Sequence, residues 1–170
     1  TRTDRISYVC VMHEQAGAFA AETLTKVSGE MGVTLVTSGP GGTNILTGVA
    51  NCWYDSVPNI YLTGQINSQF LRKDPSIRQV GFQENDIVSM VKSITKYATM
   101  VRDPSQIKWV LDKAVYEATS GRPGPVLIDL PMDLQKMEVD PESLEGFVGE
   151  DHTAEYEDGL DEQINLFLDK

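Results

Sequence analysis

Five apolar runs rich in β-branched residues recur along the chain. Their apolar positions are too continuous for strands with one face in water, and this pattern is typical of central strands in a parallel sheet. The predicted strands are Ile6–Met12, Val33–Thr37, Asn59–Thr63, Thr95–Val101 and Val126–Leu130.

The clearest helical pattern separates the last two predicted strands. Over Pro104–Ser120 the apolar residues fall on one stripe with the helical period. Asp103 is suited to cap this helix, Pro104 to its first position, and Gly121 to the left-handed position after its last turn. Two further helices are predicted, Gln15–Ser28, which Gly29 closes, and Thr43–Tyr54.

This alternation of strands and helices predicts the fold class. It favours right-handed crossovers in an α/β domain, with a doubly wound parallel sheet and helices on both faces. The polar stretch Gln65–Gln83 has no clear period and is predicted to be a long loop, and loops of that length are often functional. The composition changes near Met137, so we expect one domain over residues 1–137 and an acidic linker over 138–170.

The net charge of −11 comes from the end of the chain. Residues 1–137 carry 13 acidic and 13 basic side chains, whereas 12 acidic side chains and Lys170 follow. A neutral body without a Lys/Arg cluster argues against nucleic-acid binding. Without a membrane-length apolar run or a signal peptide, the expected location is the cytoplasm, with no membrane partner. Cys10 and Cys52 fit neither a disulfide framework nor a metal site, and we expect buried thiols and no metal ligands.

Candidate chemistry lies in the segments that follow the first three predicted strands, because ligands bind outside the carboxyl ends of strands in open parallel sheets. Glu14 stands where a strand gives way to a helix. By position alone it is either a helix-end acid that the helix dipole stabilises or a catalytic carboxylate. A lone histidine such as His13 is more often a structural hydrogen-bonding residue than a catalyst.

The second segment is glycine-rich and runs from Ser38 to Asn44. It lacks the Lys-Ser/Thr pair of a Walker loop, and Asn44 occupies the position of the third glycine of a dinucleotide fingerprint. Pro40 also removes one backbone donor. The segment is therefore either a tight strand-to-helix turn or a place where a planar group approaches the backbone closely.

Together these motifs resemble a known family. The segment His13–Ala18 and the segment Leu35–Asn44 look like the pyrimidine-binding domain of thiamine-diphosphate enzymes of the acetolactate synthase type. Further motifs follow in the family's order, namely Asp55–Pro58, Thr63–Gln65, Phe82–Glu84, Ile94–Lys96 and Gly121–Val126. The resemblance covers roughly residues 8–135.

The resemblance implies roles for particular residues. Glu14 would hydrogen-bond N1′ of the aminopyrimidine and favour the imino tautomer, whose 4′-nitrogen deprotonates the thiazolium C2. For that role we expect Glu14 to be buried, with a raised pKa. Pro40 and Asn44 would line the pyrimidine side of the site, and Gln65 would lie nearby. Phe82 and Gln83 would approach the reacting centre.

The chain also departs from the family pattern. The first strand and helix of the family fold are missing, and so are the motifs that hold magnesium and the diphosphate. Magnesium would thus be held by a domain absent from this chain, and FAD, which some relatives carry, is undecidable from this segment. The loop from Ser68 to Gly81 is longer than expected, and its cations Arg72, Lys73 and Arg78 are either solvated or meet an anionic substrate.

The expected function is the cofactor-activating domain of a lyase or carboligase that acts on a 2-keto acid such as pyruvate. In the family the cofactor lies between the pyrimidine domain of one subunit and the diphosphate-binding domain of another. This arrangement implies a homodimer or homotetramer. It also implies that the present chain is inactive by itself. Two alternatives stay open, a stand-alone pyrimidine-binding subunit of a two-chain decarboxylase and a non-catalytic α/β binding module.

Overall fold

The computed structural model describes residues 6–149. Five helices and four strands form the body of this region. The helices are α1 (Glu14–Ser28), α2 (Pro40–Asn44), α3 (Leu46–Tyr54), α4 (Ile87–Val91) and α5 (Ile107–Thr119), and the strands are β1 (Gly32–Val36), β2 (Asn59–Gln65), β3 (Tyr97–Met100) and β4 (Val126–Pro131).

The four strands form one parallel sheet in the order β1-β2-β4-β3. The connection from β2 to β3 therefore skips one strand position, which β4 occupies. Helix α5 lies in the connection from β3 back to β4. In this register Val33 lies beside Ile60, and Thr63 lies beside Asp129. The predicted parallel sheet with helices packed against it is confirmed.

Two hydrophobic clusters hold the helices on the sheet. The first joins Tyr61 and Leu127 of the sheet to apolar residues of α1, α3 and α4. The second joins Ile60 and Ile128 to one face of α5. Each cluster therefore contains one of two neighbouring residues in β2 and one of two neighbouring residues in β4. Side chains of neighbouring residues in a strand point to opposite faces of its sheet.

Several helix ends follow from local chemistry as predicted. Gly29 ends α1 with φ 75°, and Gly121 adopts φ 54° after the α5 segment. The side chain of Asp103 accepts a hydrogen bond from the backbone N of Ser105, at the start of a 3-10 turn that leads into α5. The expected helix Thr43–Tyr54 begins earlier, at Pro40, and is divided at Ile45 into α2 and α3.

The predicted strand Ile6–Met12 is wrong. Residues 6–11 have no regular structure, Met12 lies in a bend, and most of this segment is exposed. A strand needs a neighbour with which to share backbone hydrogen bonds, and within residues 6–149 this segment pairs with none. For the same reason Cys10 is exposed, against expectation, whereas Cys52 is buried as predicted.

Other differences are smaller. The short helix α4 was not predicted. Strand β3 is shorter than the apolar run Thr95–Val101 that predicted it. The long loop is confirmed over residues 66–86, with a single 3-10 turn at Ser68–Phe70. Most of the acidic segment, including the possible helix of a following domain at Leu160–Lys170, lies outside the described residues.

Candidate functional site

The candidate site lies at the carboxyl edge of β1 and β2, where an acid and an amide from distant parts of the chain meet. Asn44 Nδ2 donates a hydrogen bond of 2.9 Å to Glu14 Oε2. Glu14 is the first residue of α1, and Asn44 is the last residue of α2, which follows the glycine-rich turn after β1. The structure thus brings together the first two candidate segments of the sequence.

Hydrogen bonds around Glu14 favour the ionised form of its carboxyl group. The hydrogen bond from Asn44 is the main cause that lowers the pKa of Glu14, and backbone donation at the helix start acts in the same direction. His13 caps the helix, since its Nδ1 accepts from the backbone N of Gln15 at 3.2 Å. The expectation of a buried Glu14 with a raised pKa is therefore wrong for this chain, because the side chain is only half-buried and desolvation is too weak to outweigh these hydrogen bonds.

The glycine-rich turn packs directly against the segment that carries Gln83. Gly39 has φ 65°, and a Cβ atom there would lie 2.8 Å from Cβ and 2.9 Å from the carbonyl O of Gln83. A side chain would therefore push the two segments apart. Gln83 itself has φ 63°, an uncommon conformation for a residue with a side chain, which persists only where the surrounding structure enforces it. Gln83 is thus held beside the turn that positions Asn44.

Gln65 is buried below this turn, and its amide is fully engaged by the protein. Its Nε2 donates to Asn85 O at 2.9 Å and to Asp129 Oδ2 at 3.0 Å, while its Oε1 accepts from the backbone N of Ile66 at 2.9 Å. Asn85 in turn donates from Nδ2 to Gly39 O at 3.0 Å. Gln65 therefore contacts the candidate site through Asn85.

The predicted site residues Pro40 and Phe82 are exposed. Pro40 is the first residue of α2, and the Phe82 side chain is 84% exposed. Each adjoins one part of the cluster, since Pro40 follows Gly39 and Phe82 precedes Gln83. Both therefore offer exposed apolar surface next to residues of the candidate site.

The sequence did not single out Asp129 or Asn85. Asp129 is fully buried in β4, where it accepts hydrogen bonds from Thr63 Oγ1 at 2.7 Å and from Gln65. Burial raises its pKa to about 6. An acid inside the apolar run Val126–Leu130 was the available signal, whereas nothing in the sequence marks Asn85.

A cavity of about 220 Å³ lies further along the same edge of the sheet. Arg72, Lys73 and Arg102 contribute to its lining, together with Met100 and Pro131 at the ends of β3 and β4. Arg72 Nη1 donates to Ile77 O at 3.3 Å, and its Nη2 lies 3.8 Å from Asp86 Oδ2. The hypothesis that the loop cations meet an anionic substrate stays a prediction for Arg72 and Lys73, and Arg78 is not among the residues that line this cavity.

Within residues 6–149 no group of three or more His, Cys, Asp or Glu side chains is arranged to hold a metal ion. In the same region, no helix has the length and apolar character that crossing a membrane requires.

Comparison with known proteins shows the family to which this chain is similar. Residues 1–90 match the family described as "Thiamine pyrophosphate enzyme, N-terminal TPP binding domain". The chain is 43% identical over 136 residues to the chloroplastic acetolactate synthase of Arabidopsis thaliana, which covers 80% of this chain and 19% of that protein. It is 40% identical over 163 residues to the acetolactate synthase large subunit of Lactococcus lactis, covering 96% and 27%.

A third relative is the acetolactate synthase isozyme 3 large subunit of Escherichia coli, which is 43% identical over 129 residues, or 76% of this chain and 21% of that protein. The chain thus spans between 19% and 27% of the length of these relatives.

Proposed function

Because the chain belongs to the thiamine pyrophosphate enzymes, whose N-terminal TPP-binding domain it matches over residues 1–90, we propose that it binds and activates the pyrimidine ring of thiamine diphosphate. The complete enzyme is a lyase or carboligase of the acetolactate synthase type that acts on a 2-keto acid such as pyruvate. The observation that carries this proposal is the hydrogen bond between Asn44 and Glu14 beside the glycine-rich turn.

The residues at this edge fit an aminopyrimidine ring. Glu14 offers a half-exposed carboxylate to a ring nitrogen, and Asn44 fixes one of its oxygens. Gly39 lets the segment that carries Gln83 pack against the turn. Pro40 and Phe82 add exposed apolar surface that suits a flat ring. When bound, the cofactor supplies the carbanion chemistry. The protein orients the cofactor and provides one carboxyl group whose proton affinity is adjusted to the reaction.

Glu14 is the catalytic carboxylate in this proposal, and Gln83 is the second catalytic residue. With the cofactor bound, Glu14 would hydrogen-bond N1′ of the ring and hold a proton there, and Gln83 would approach the reacting centre. The left-handed backbone at Gln83 supports its assignment, since strain of this kind concentrates at functional sites. Asn44 and Pro40 line the pyrimidine side, Phe82 approaches the reacting centre together with Gln83, and Gln65 lies nearby.

The pKa of Glu14 is expected to rise when the site is complete. In the isolated chain water reaches the carboxylate, and the hydrogen bond from Asn44 lowers its pKa. Covering Glu14 with the diphosphate-binding domain of another subunit would remove that water and penalise the charged form. The partner domain would thereby supply the desolvation that this chain lacks.

The finer features of the fold belong to the same proposal. The sheet is doubly wound with helices on both faces, which the alternate use of β2 and β4 residues by the two clusters supports. In the complete enzyme a preceding strand and helix cover β1, whose Val33 and Leu35 are 55% and 73% exposed here. Residues 1–137 are the pyrimidine-binding domain, and 138–170 lead toward a middle domain.

We assign the magnesium and diphosphate sites to another domain of the complete enzyme, and FAD stays open. The enzyme works as a homodimer or homotetramer, because the proposed site needs a second subunit. We also propose that the enzyme is located in the cytoplasm.

The test is substitution of Glu14 in the full-length protein, assayed with thiamine diphosphate, magnesium and pyruvate. Glu14→Gln keeps the shape and the hydrogen bond to an amide but removes the proton-accepting carboxylate, so turnover should fall by about 100-fold or more. Glu30→Gln is the matched control, since Glu30 is an exposed acid just beyond α1. Equal turnover of the two variants would refute the proposed role of Glu14.

A further inference from the structure

A chain of hydrogen bonds connects the buried centre of the sheet to the glycine-rich turn. Thr63 Oγ1 donates to Asp129 Oδ1 at 2.7 Å, and Gln65 Nε2 donates to Asp129 Oδ2 at 3.0 Å. The same Nε2 donates to Asn85 O at 2.9 Å, and Asn85 Nδ2 donates to Gly39 O at 3.0 Å. The chain of contacts thus runs from β4 through β2 to the start of α2.

Each contact fixes the direction of the next one. The carboxylate of Asp129 only accepts, so it requires the NH2 group of Gln65 on its side. If the Gln65 amide were reversed, its oxygen would face the oxygens of Asp129 and Asn85, and its NH2 would face the backbone N–H of Ile66. Since Gln65 and Asp129 are 3% and 0% exposed, no water compensates for such a mismatch, and the orientation is locked.

The end of this chain of contacts controls the geometry of the proposed site. Gly39 O also accepts from the backbone N of Thr43 at 3.1 Å, so it anchors the first turn of α2, which ends at Asn44. On its other side Gly39 packs against Gln83 within 2.9 Å of where a Cβ would stand. A displacement of Gly39 therefore moves Asn44 relative to Glu14 and releases Gln83.

We propose that Asp129 is a positioning residue, which acts through Gln65 and Asn85 to hold Gly39 where Asn44 and Gln83 meet Glu14. This inference rests on the proposed function, because it assumes that Glu14 and Gln83 act on a bound cofactor. Asp129 itself touches neither cofactor nor substrate in this proposal. Its contribution is the orientation of one buried amide.

The first test is Asp129→Leu in the full-length protein. This change keeps the branched shape but removes both acceptor oxygens, so nothing fixes the NH2 side of the Gln65 amide, which is then free to turn away from Asn85. We expect kcat to fall by about 10-fold to 100-fold, the range that small misplacements of reacting groups produce. In hydrogen exchange, the amide of Thr43 should lose protection, because the anchor at Gly39 is loosened.

Thr25→Val is the matched control for loss of a buried hydrogen bond. Thr25 Oγ1 accepts from Gly32 N at 2.8 Å and contacts Asn59, and both partners begin their strands at the opposite edge of the sheet. This variant should lose stability while kcat and the protection of Thr43 stay at the parent level. The positioning role is supported if Asp129→Leu differs from Thr25→Val in both measurements, and it is overturned if the two variants behave alike.

Asn85→Ala tests the last contact if Asp129→Leu does not fold. The half-buried Asn85 lies in a loop, and its loss removes only the bond to Gly39 O. The same loss of kcat and of Thr43 protection is expected, and parent values for both would overturn the proposal. Titration of the parent protein with thiamine diphosphate separates the two hypotheses, because absent binding refutes the proposed function, whereas binding with unaffected variants refutes only the positioning role.

Discussion

Replacement of Gly48 by alanine tests how tightly helix α3 packs against helix α1. A Cβ atom at Gly48 would lie 2.4 Å from Cβ of Ala18, which is fully buried in α1. Carbon atoms in contact lie about 3.5–4.0 Å apart. The two helices would therefore have to separate by more than about 1 Å, and Glu14 at the start of α1 would move with its helix.

The expected magnitude follows from two opposing effects. Alanine favours the helical backbone over glycine by about 1 kcal/mol. Overpacking a well-packed contact costs about 1–3 kcal/mol. Gly48→Ala should therefore lower the free energy of unfolding by up to about 2 kcal/mol. Ala18→Gly should cost about 2 kcal/mol, from helix propensity and one buried methyl group.

The double variant carries the decisive measurement. With glycine at Ala18 and alanine at Gly48 the methyl group changes helix without a clash, so the helix propensities cancel and the free energy of unfolding should return close to that of the parent. Urea unfolding followed by circular dichroism gives all four values. Additive losses of about 2–4 kcal/mol in the double variant would refute the claim that this contact limits the approach of the helices.

Three further predictions follow from buried polar groups. Thr25→Val leaves the backbone N–H of Gly32 without its acceptor and should cost about 1–3 kcal/mol in urea unfolding, and a loss below 0.5 kcal/mol would contradict it. In the 170-residue chain at pH 8, a thiol reagent should modify the exposed Cys10 and spare Cys52, whose pKa burial raises to about 11, until denaturant is added. Asp129 has a pKa raised from 3.8 to about 6, so the folded state binds its proton more tightly than the unfolded chain between roughly pH 4 and 6. Its contribution to the free energy of unfolding should therefore grow by up to about 3 kcal/mol as the pH falls through that window, and Asp129→Asn should lack this gain in pH-dependent unfolding.

Elements whose ends have their own chemistry could be predicted from the sequence. The α5 segment was found because Asp103 and Gly121 act within a few residues of its ends, and both behave in the structure as expected. The same holds for α1 and Gly29. Short helix α4 was missed because five residues are too few to show a helical period, although Asp86 caps it by accepting from the backbone N of Ser89.

The failed strand Ile6–Met12 shows the limit of pattern alone. Its residues have the composition of a central strand, but strand formation depends on a neighbour that the local sequence does not reveal. Apolar residues of this run and of β1, such as Val9 and Leu35, are exposed within residues 6–149.

In the candidate site, too, the sequence motifs identified individual residues but not the contacts between residues that are distant in the chain. The motifs located Glu14, Asn44 and Gln83, and the structure places them around one turn. The hydrogen bonds that orient the turn join Asp129 to Gln65, which is 64 residues away in the chain. Such contacts depend on strand order, which the sequence pattern did not specify.

The pKa of Glu14 depends both on residues of this chain and on how far the carboxylate is exposed to water. Within the chain the hydrogen bond from Asn44 and the start of helix α1 both favour the carboxylate, and they lower its pKa. Only desolvation opposes them, and desolvation requires protein surface that residues 6–149 do not place over Glu14, which is half-buried. The same covering surface would exclude water from the ring and raise the pKa of Glu14 toward the value that proton exchange with a pyrimidine nitrogen requires. Under the proposed function, assembly and activation would then be one physical event, since the chain would orient the carboxylate and the partner domain would set its proton affinity.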